Sequence, residues 1–194
     1  MSVLLMHDDV TLRPMQESDI ERLWKLTTFE TFTFMLNKFQ HMEEFEKWMS
    51  SGYEDMQLTD STFVFVAANS KTDEMYGSTR IYNIDHANKT CEIGGTFYGK
   101  PFQRTHINTT AKWLLLTYAF ETLGMIRVQF KTDEENVESQ KAIERLGAQK
   151  EGILRNERIR STGKPRNAVV YSIIDKEWAS VNKGLQEKMN KYSK

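Results

Sequence analysis

Cysteine, proline, glycine and histidine are all scarce in this chain, and each scarcity excludes something. A single cysteine, Cys91, can form no internal disulfide and no cysteine-based zinc site, which suits a reducing cytosol. The four histidines are scattered, with no pair at helical metal-ligand spacing, so no metal is expected. Three prolines and ten glycines in 194 residues exclude a collagen-like or linker-dominated chain. Apolar runs reach only a few residues, too short for a membrane span. The start, Met1 to Asp9, lacks the basic residues and long apolar stretch of a secretory signal, so a cytoplasmic location is expected. What is present is 39% hydrophobic, 11% aromatic and 27% charged residue content, enough for a real core. The expectation is one domain over residues 1–194, closed by a polar, lysine-rich helix from about residue 176.

The net charge of −1 conceals an asymmetry. Residues 1–60 carry 12 acids and 5 bases, while the rest of the chain has a positive excess. Such a split can draw ligands of opposite sign to different surfaces, or be no more than charges unevenly dealt.

Thr11-Leu12-Arg13 reads as a short strand closed by Pro14. Ser18-Asp19-Ile20-Glu21 reads as a capping box, with Ser18 accepting from the Glu21 amide. Ile20, Leu23, Trp24 and Thr27 then follow helical spacing, as do Met42, Phe45, Trp48 and Met49. Phe29, Phe32 and Phe34, between those helices, either line a cleft or fill the core. From Thr62 the period changes to two, through Thr62–Ala68, Met75–Ile84 and Thr90–Tyr98, an antiparallel meander. Thr109 to Leu123 is apolar on nearly every face, a buried helix. Ile126, Val128 and Phe130 alternate with polar residues as a strand, and Val137 to Leu146 is a short helix. Gln149–Ile159 and Ala168–Ile174 are two further strands flanking a turn at Ser161–Pro165. This order predicts an α+β (mixed α/β) fold: a central, mostly antiparallel sheet of six to seven strands, helices on both faces, and a βαβ crossover at the centre.

Two features of the crossover suggest chemistry. Gly94-Gly95 interrupts a good strand, which points to a bulge, a close backbone approach by a ligand, or a harmless irregularity. Gln103-Arg104-Thr105-His106-Ile107-Asn108 leads from a strand into the buried helix, where amides and the helix dipole favour an anion. Lys100, Arg104 and Lys112 add positive charge nearby. The loop has no glycine, so it is neither a P-loop nor a dinucleotide fingerprint.

The run Gln103 to Lys112, then Tyr118-Ala119-Phe120-Glu121, Ile126 to Asp133 and Asn136 to Ala148, resembles the GNAT N-acetyltransferase superfamily. Leu12-Arg13-Pro14 with Asp19, Glu151 to Arg155 and Val170 to Ile173 bring it closest to the ribosomal-protein serine/alanine N-acetyltransferases. The resemblance covers about Thr11 to Trp178. It implies acetyl-CoA as cosubstrate, without a metal, and a primary amine as acceptor: a protein N-terminus, a polyamine or an aminoglycoside-like amine. It assigns the pyrophosphate to the amides of Gln103, Arg104, Thr105, His106, Ile107 and Asn108. Pantetheine would lie between the Ile93-Gly94-Gly95 strand and the Ile126–Lys131 strand, bonded by Asn136 and Ser139. Amides near Gly94 and Gly95 would polarise the thioester carbonyl. Glu92 matches a position that often holds a base, with Glu157 second, or is an ordinary strand carboxylate in a salt bridge. Ser139 would serve the leaving thiolate, because Ile143 stands where many members carry a tyrosine.

Arg104 and His106 stand where the family often has glycine. Their side chains either turn away from the amides or reach the phosphates themselves. Cys91 has no histidine near it in sequence, which favours a structural thiol over an acyl-cysteine. The leading reading is direct acetyl transfer in a ternary complex. The alternative is a CoA-binding module of the same fold with weakened catalysis. A third, nucleic-acid binding by the basic hairpin Arg155–Arg166, ranks last; a membrane partner is not expected, and a homodimer is left open.

Overall fold

In the computed structural model, the residues described are 3–35, 37, 39–160 and 162–191; Met1, Ser2 and Ser161, used in the readings above, lie outside them. The chain runs β1 (Leu5–His7), β2 (Val10–Pro14), α1 (Ile20–Lys25), α2 (Met42–Leu58), β3 (Phe63–Asn69), β4 (Met75–Asp85), β5 (Thr90–Tyr98), α3 (His106–Thr117), β6 (Arg127–Asp133), α4 (Val137–Leu146), β7 (Gln149–Ile159), β8 (Pro165–Ile174) and α5 (Asp175–Asn190). The strands form one sheet in the order β1-β2-β3-β4-β5-β6-β8-β7. All neighbours are antiparallel except β5 and β6, which α3 joins as a βαβ crossover.

Eight strands replace the expected six to seven. The addition is Leu5–His7, which pairs antiparallel with β2 through Leu5↔Leu12, Met6↔Thr11 and His7↔Val10. A three-residue strand with alternate residues exposed leaves too short a pattern to read. Helix α3 begins at His106, three residues before the apolar stretch, because Thr105 Oγ1 accepts from the Ile107 amide and caps it. Its far end loosens into a π-helical turn over Tyr118–Thr122.

The expected capping box at Ser18 does not form. Asp19 holds the position instead, buried and accepting from the Gln16 amide and from both terminal nitrogens of Arg13, at 2.6 and 2.9 Å. A forked arginine–carboxylate pair outcompetes a neutral serine cap, and it anchors α1 to β2.

Two apolar layers sandwich the sheet. One face packs Phe65, Ile81, Cys91, Ile93, Val128 and Phe130 against α3, α4 and α5. The other packs Val64, Val66 and Phe97 against α1, α2 and their connection. The connection divides its aromatics: Phe32 and Phe39 are buried there, while Phe29 and Phe34 are exposed. No helix among the described residues is long and apolar enough to cross a membrane.

Candidate active site

The site begins where the one parallel pair comes apart. β5 and β6 pair at Thr90↔Arg127, Cys91↔Val128 and Glu92↔Gln129, and the pairing stops there. Beyond that point β5 stays with β4 and β6 stays with β8, so a wedge opens between them. A bulge turns β5 away: the register with β4 slips between Ser78↔Phe97 and Arg80↔Gly94, and Gly95 has φ +56°. The expected bulge at the paired glycines is therefore present. Their lack of side chains also has a cause within the chain. A Cβ at Gly94 would lie 2.6 Å from the Tyr82 hydroxyl, and one at Gly95 3.1 Å from Arg80 Cδ. Both glycines make room for β4 side chains crossing over the bulge.

Two helix N-termini meet at the open end of the wedge. α3 follows β5 and α4 follows β6, so both start beyond the carboxyl ends of parallel strands, the usual place for a ligand crevice. The Arg104–Glu138 ion pair at 2.6 Å ties the loop before α3 to the first turn of α4. Arg104 has φ +61°, the left-handed conformation that glycine adopts without strain. Its side chain is exposed and turned to Glu138, and His106 Nε2 lies 2.9 Å from Asp9 Oδ1. Both side chains thus have partners away from the helix axis. Gln103 Nε2 donates to the Tyr98 carbonyl, and Ile107 is largely buried as an anchor of α3. Among the described residues, the Arg104 and Thr105 amides have no protein acceptor. Asn136 caps α4, its side-chain oxygen accepting from the Ser139 amide at 3.0 Å. That leaves the Asn136 amide group and the Ser139 hydroxyl for a ligand. Ile143 faces the core of α4 and offers no proton.

The floor of the wedge on the α2 face is polar and mutually bonded. Glu92 is 3% exposed. It accepts from the Tyr82 hydroxyl at 2.7 Å and from Gln129 Nε2 at 3.1 Å, and Lys131 Nζ lies 3.1 Å away. Lys131 also reaches Glu157 at 3.6 Å, so the two candidate bases share one ammonium. Burial, reinforced by the Glu92 charge, pushes the Tyr82 hydroxyl well above its ordinary pKa. Tyr82, Gln129 and Lys131 were not singled out in the sequence. The available signal was polar side chains alternating with core residues on central strands.

Lys112 is placed differently from the expectation. It lies in the middle of α3, buried against the opposite face of the sheet rather than at the phosphate loop. Its ammonium donates to Thr79 Oγ1 at 2.9 Å and Thr96 Oγ1 at 2.5 Å, and burial lowers its pKa to about 7. Cys91 is buried on that same face, and burial lifts its thiol to about 12, which keeps it from being a nucleophile near neutral pH. In the basic hairpin, Arg160 pairs with Asp133 and Glu135, Arg158 with Glu157, and Arg166 lies near Asp133 and Glu157. Most of the hairpin's arginine charge is matched by carboxylates rather than offered to a polyanion.

A parallel pair parted by a bulge, with helix N-termini at the opening, makes a crevice suited to an anionic ligand, and the comparisons give the family. The acetyltransferase (GNAT) domain profile matches residues 9–149, and the chain belongs to this family. It is an N-acetyltransferase, and so an acyltransferase. YdaF of Bacillus subtilis (strain 168), named as a ribosomal N-acetyltransferase, is 26% identical over 186 residues, covering 89% of this chain and 94% of YdaF. A GCN5-related N-acetyltransferase from Brucella melitensis superposes with a TM-score of 0.86 at 25% identity, covering 96% of this chain and 85% of that one. Spermidine N-acetyltransferase from Vibrio cholerae, solved with CoA and spermine, shares the fold with a TM-score of 0.73 at 17% identity, covering 88% of this chain and 98% of that one.

Proposed function

We propose that this chain acts as one acetyltransferase domain, moving the acetyl group of acetyl-CoA to a primary amine by direct attack in a ternary complex. The parting of β5 from β6 at Glu92↔Gln129, with two helix N-termini at its mouth, carries this reading. The residues present fit the donor. The Arg104 and Thr105 amides and the α3 dipole suit a pyrophosphate, and the wedge exposes strand edges to which a pantetheine amide can bond. Asn136 and Ser139 stand along its α4 side. The backbone amides near Gly94 and Gly95, where the register with β4 slips, suit the thioester oxygen as negative charge develops there.

The acceptor nitrogen needs a lone pair, so an arriving ammonium must first lose a proton. Glu92 is the base we assign, reached through the Tyr82 hydroxyl or a water because it is nearly closed off. Tyr82 passes a proton along while staying neutral itself. Lys131 pairs with the Glu92 carboxylate at 3.1 Å and holds it in place, and Ser139 delivers a proton to the departing thiolate. The acceptor class we assign is a protein N-terminus or a small amine, in keeping with the names of YdaF and of the spermidine N-acetyltransferase.

The test is release of free CoA from acetyl-CoA with a panel of N-terminal peptides, polyamines and aminoglycosides, with mass spectrometry locating the new acetyl group. Turnover with one acceptor class supports the assignment. Tight acetyl-CoA binding by calorimetry without turnover on any of them favours the weakened binding module, for which Ile143 is the motivating residue.

A further inference from the structure

Arg80 holds the least compensated charge on the α2 face of the site. Its guanidinium carbon sits 4.0 Å above the centre of the Trp48 ring, and its Nη2 contacts the Met49 sulfur at 3.2 Å. The Nε is buried without an acceptor, and no carboxylate among the described residues bonds the guanidinium. Burial lowers its pKa to about 10, with only weak opposing fields from Tyr82 and Asp55. An arginine taken out of water ordinarily brings a counter-ion, because desolvating an unpaired charge costs several kcal/mol or more. A thioether and an indole face offset a fraction of that.

The surroundings are shaped to keep the guanidinium where it is. Gly52, inside α2, would place a Cβ 2.7 Å from Arg80 Nη1, and a Cβ on Gly95 would meet the Arg80 stem at 3.1 Å. Glycine within a helix is less stable than alanine, so its presence at position 52 has a structural cost as well as a use. Arg80 thus threads between a helix and the bulge, its head over Trp48 and its stem over Gly95. Tyr82 is two residues along β4 on the same face, and alternate residues of a strand stand about 6–7 Å apart. One small acceptor spans that distance.

We propose that Arg80 is a specificity residue for an acceptor that carries a carboxylate close to its amine. This rests on the acetyl-transfer reading above and deepens it. The carboxylate meets the terminal nitrogens of Arg80 while the amine lies towards Tyr82 and Glu92. The chemistry has two sources: a free amino acid, or a peptide N-terminus whose first or second residue is Asp or Glu.

The experiment compares matched twins: free amino acids against their α-carboxamides, such as alanine against alaninamide, and short peptides with Asp or Glu at the first or second position against the same peptides with Asn or Gln there. The expected result is a kcat/KM at least tenfold higher for a carboxylate than for its carboxamide twin, expressed mainly in KM. The free and peptide arms show which source is used. Arg80→Met should shrink that ratio at least tenfold, and Arg80→Lys should restore part of it. Equal rates for twins in the wild-type protein overturn the proposal, as does an Arg80→Met variant that keeps the full ratio. If Arg80→Met does not fold, the wild-type ratio decides alone. If no amine at all is acetylated, the acetyl-transfer reading has failed instead. Calorimetry with CoA present then decides the subsite, comparing N-acetylalanine with N-acetylalaninamide and N-acetylaspartyl amide with N-acetylasparaginyl amide: preference for the carboxylate in either pair supports it, and equal or absent binding in both overturns it.

Discussion

The donor side and the acceptor side proposed for this site are built from different materials. On the donor side, the groups that matter are backbone: amides of the loop before α3, the edges of a parted strand pair, and a bulge. Its side chains mostly look elsewhere, Arg104 to Glu138 and His106 to Asp9. On the acceptor side, the groups we assign are side chains from three neighbouring strands. Tyr82, Glu92, Gln129 and Lys131 come from β4, β5 and β6 and bond one another. Backbone recognition tolerates substitution, so a loop without glycine can still serve. A side-chain network does not, because each member satisfies another in a buried setting.

Four variants sharpen that contrast. Glu92→Gln should have the largest effect, lowering kcat/KM about a hundredfold or more while leaving acetyl-CoA affinity near that of the parent. The deficit should narrow as pH rises and more acceptor is already a free amine. An equal loss of acetyl-CoA binding would mean that the two sides are not separable. Lys131 retains Glu157 at 3.6 Å, which limits the cost to folding.

Lys112→Met acts on the face behind the bulge. The folded-state pKa of Lys112 is about 7 against an ordinary 10.5, so the folded protein binds this proton more weakly than the unfolded chain does. Its cost to stability is full below about pH 7 and fades as pH rises towards 10.5, a span on the order of a few kcal/mol. Denaturant unfolding of the parent from pH 6.5 to 9.5 should show this rise, and the methionine variant should lack it. Identical slopes in the two proteins would refute the assignment.

Asn136→Ala removes the α4 cap and should cost about 1 kcal/mol. On the contrast drawn here it raises KM for acetyl-CoA severalfold and changes acceptor KM little. Arg104→Gly should have the smallest effect. Glycine suits φ +61° and loses only an exposed ion pair, so stability should move by less than about 1 kcal/mol. If the amide rather than the side chain serves the donor, KM for acetyl-CoA changes less than about threefold. A tenfold rise would place the guanidinium on the phosphates.

Legibility followed the same division. Helix α4 and strands β5 and β7 fall where periodicity put them, because each sequence pattern matches a whole element. Gly94-Gly95 announced the bulge, since glycine inside a strand needs a reason. The polar partners of Glu92 were not readable. Gln129 and Lys131 look like the outward half of an ordinary alternating strand, and nothing local says that β5 lies alongside. Lys112 misled for a related reason: on a helix rich in apolar residues a lysine reads as the solvated face, yet Thr79 and Thr96 receive it inside. The Ser18 cap failed because Arg13, brought close by β2, claims Asp19.

The sequence by itself determined the order of every strand and main helix but β1, the position of the crossover, the bulge and the family, all of which depend on neighbours along the chain. It also held the uneven charge of residues 1–60. Only the tertiary structure decided where each buried charge points: Lys112 to two threonines, Arg80 to an indole face without an acid, Glu92 into a closed network. The reason is physical. Periodicity records which way a residue faces, whereas a charge's partner depends on which strands lie side by side.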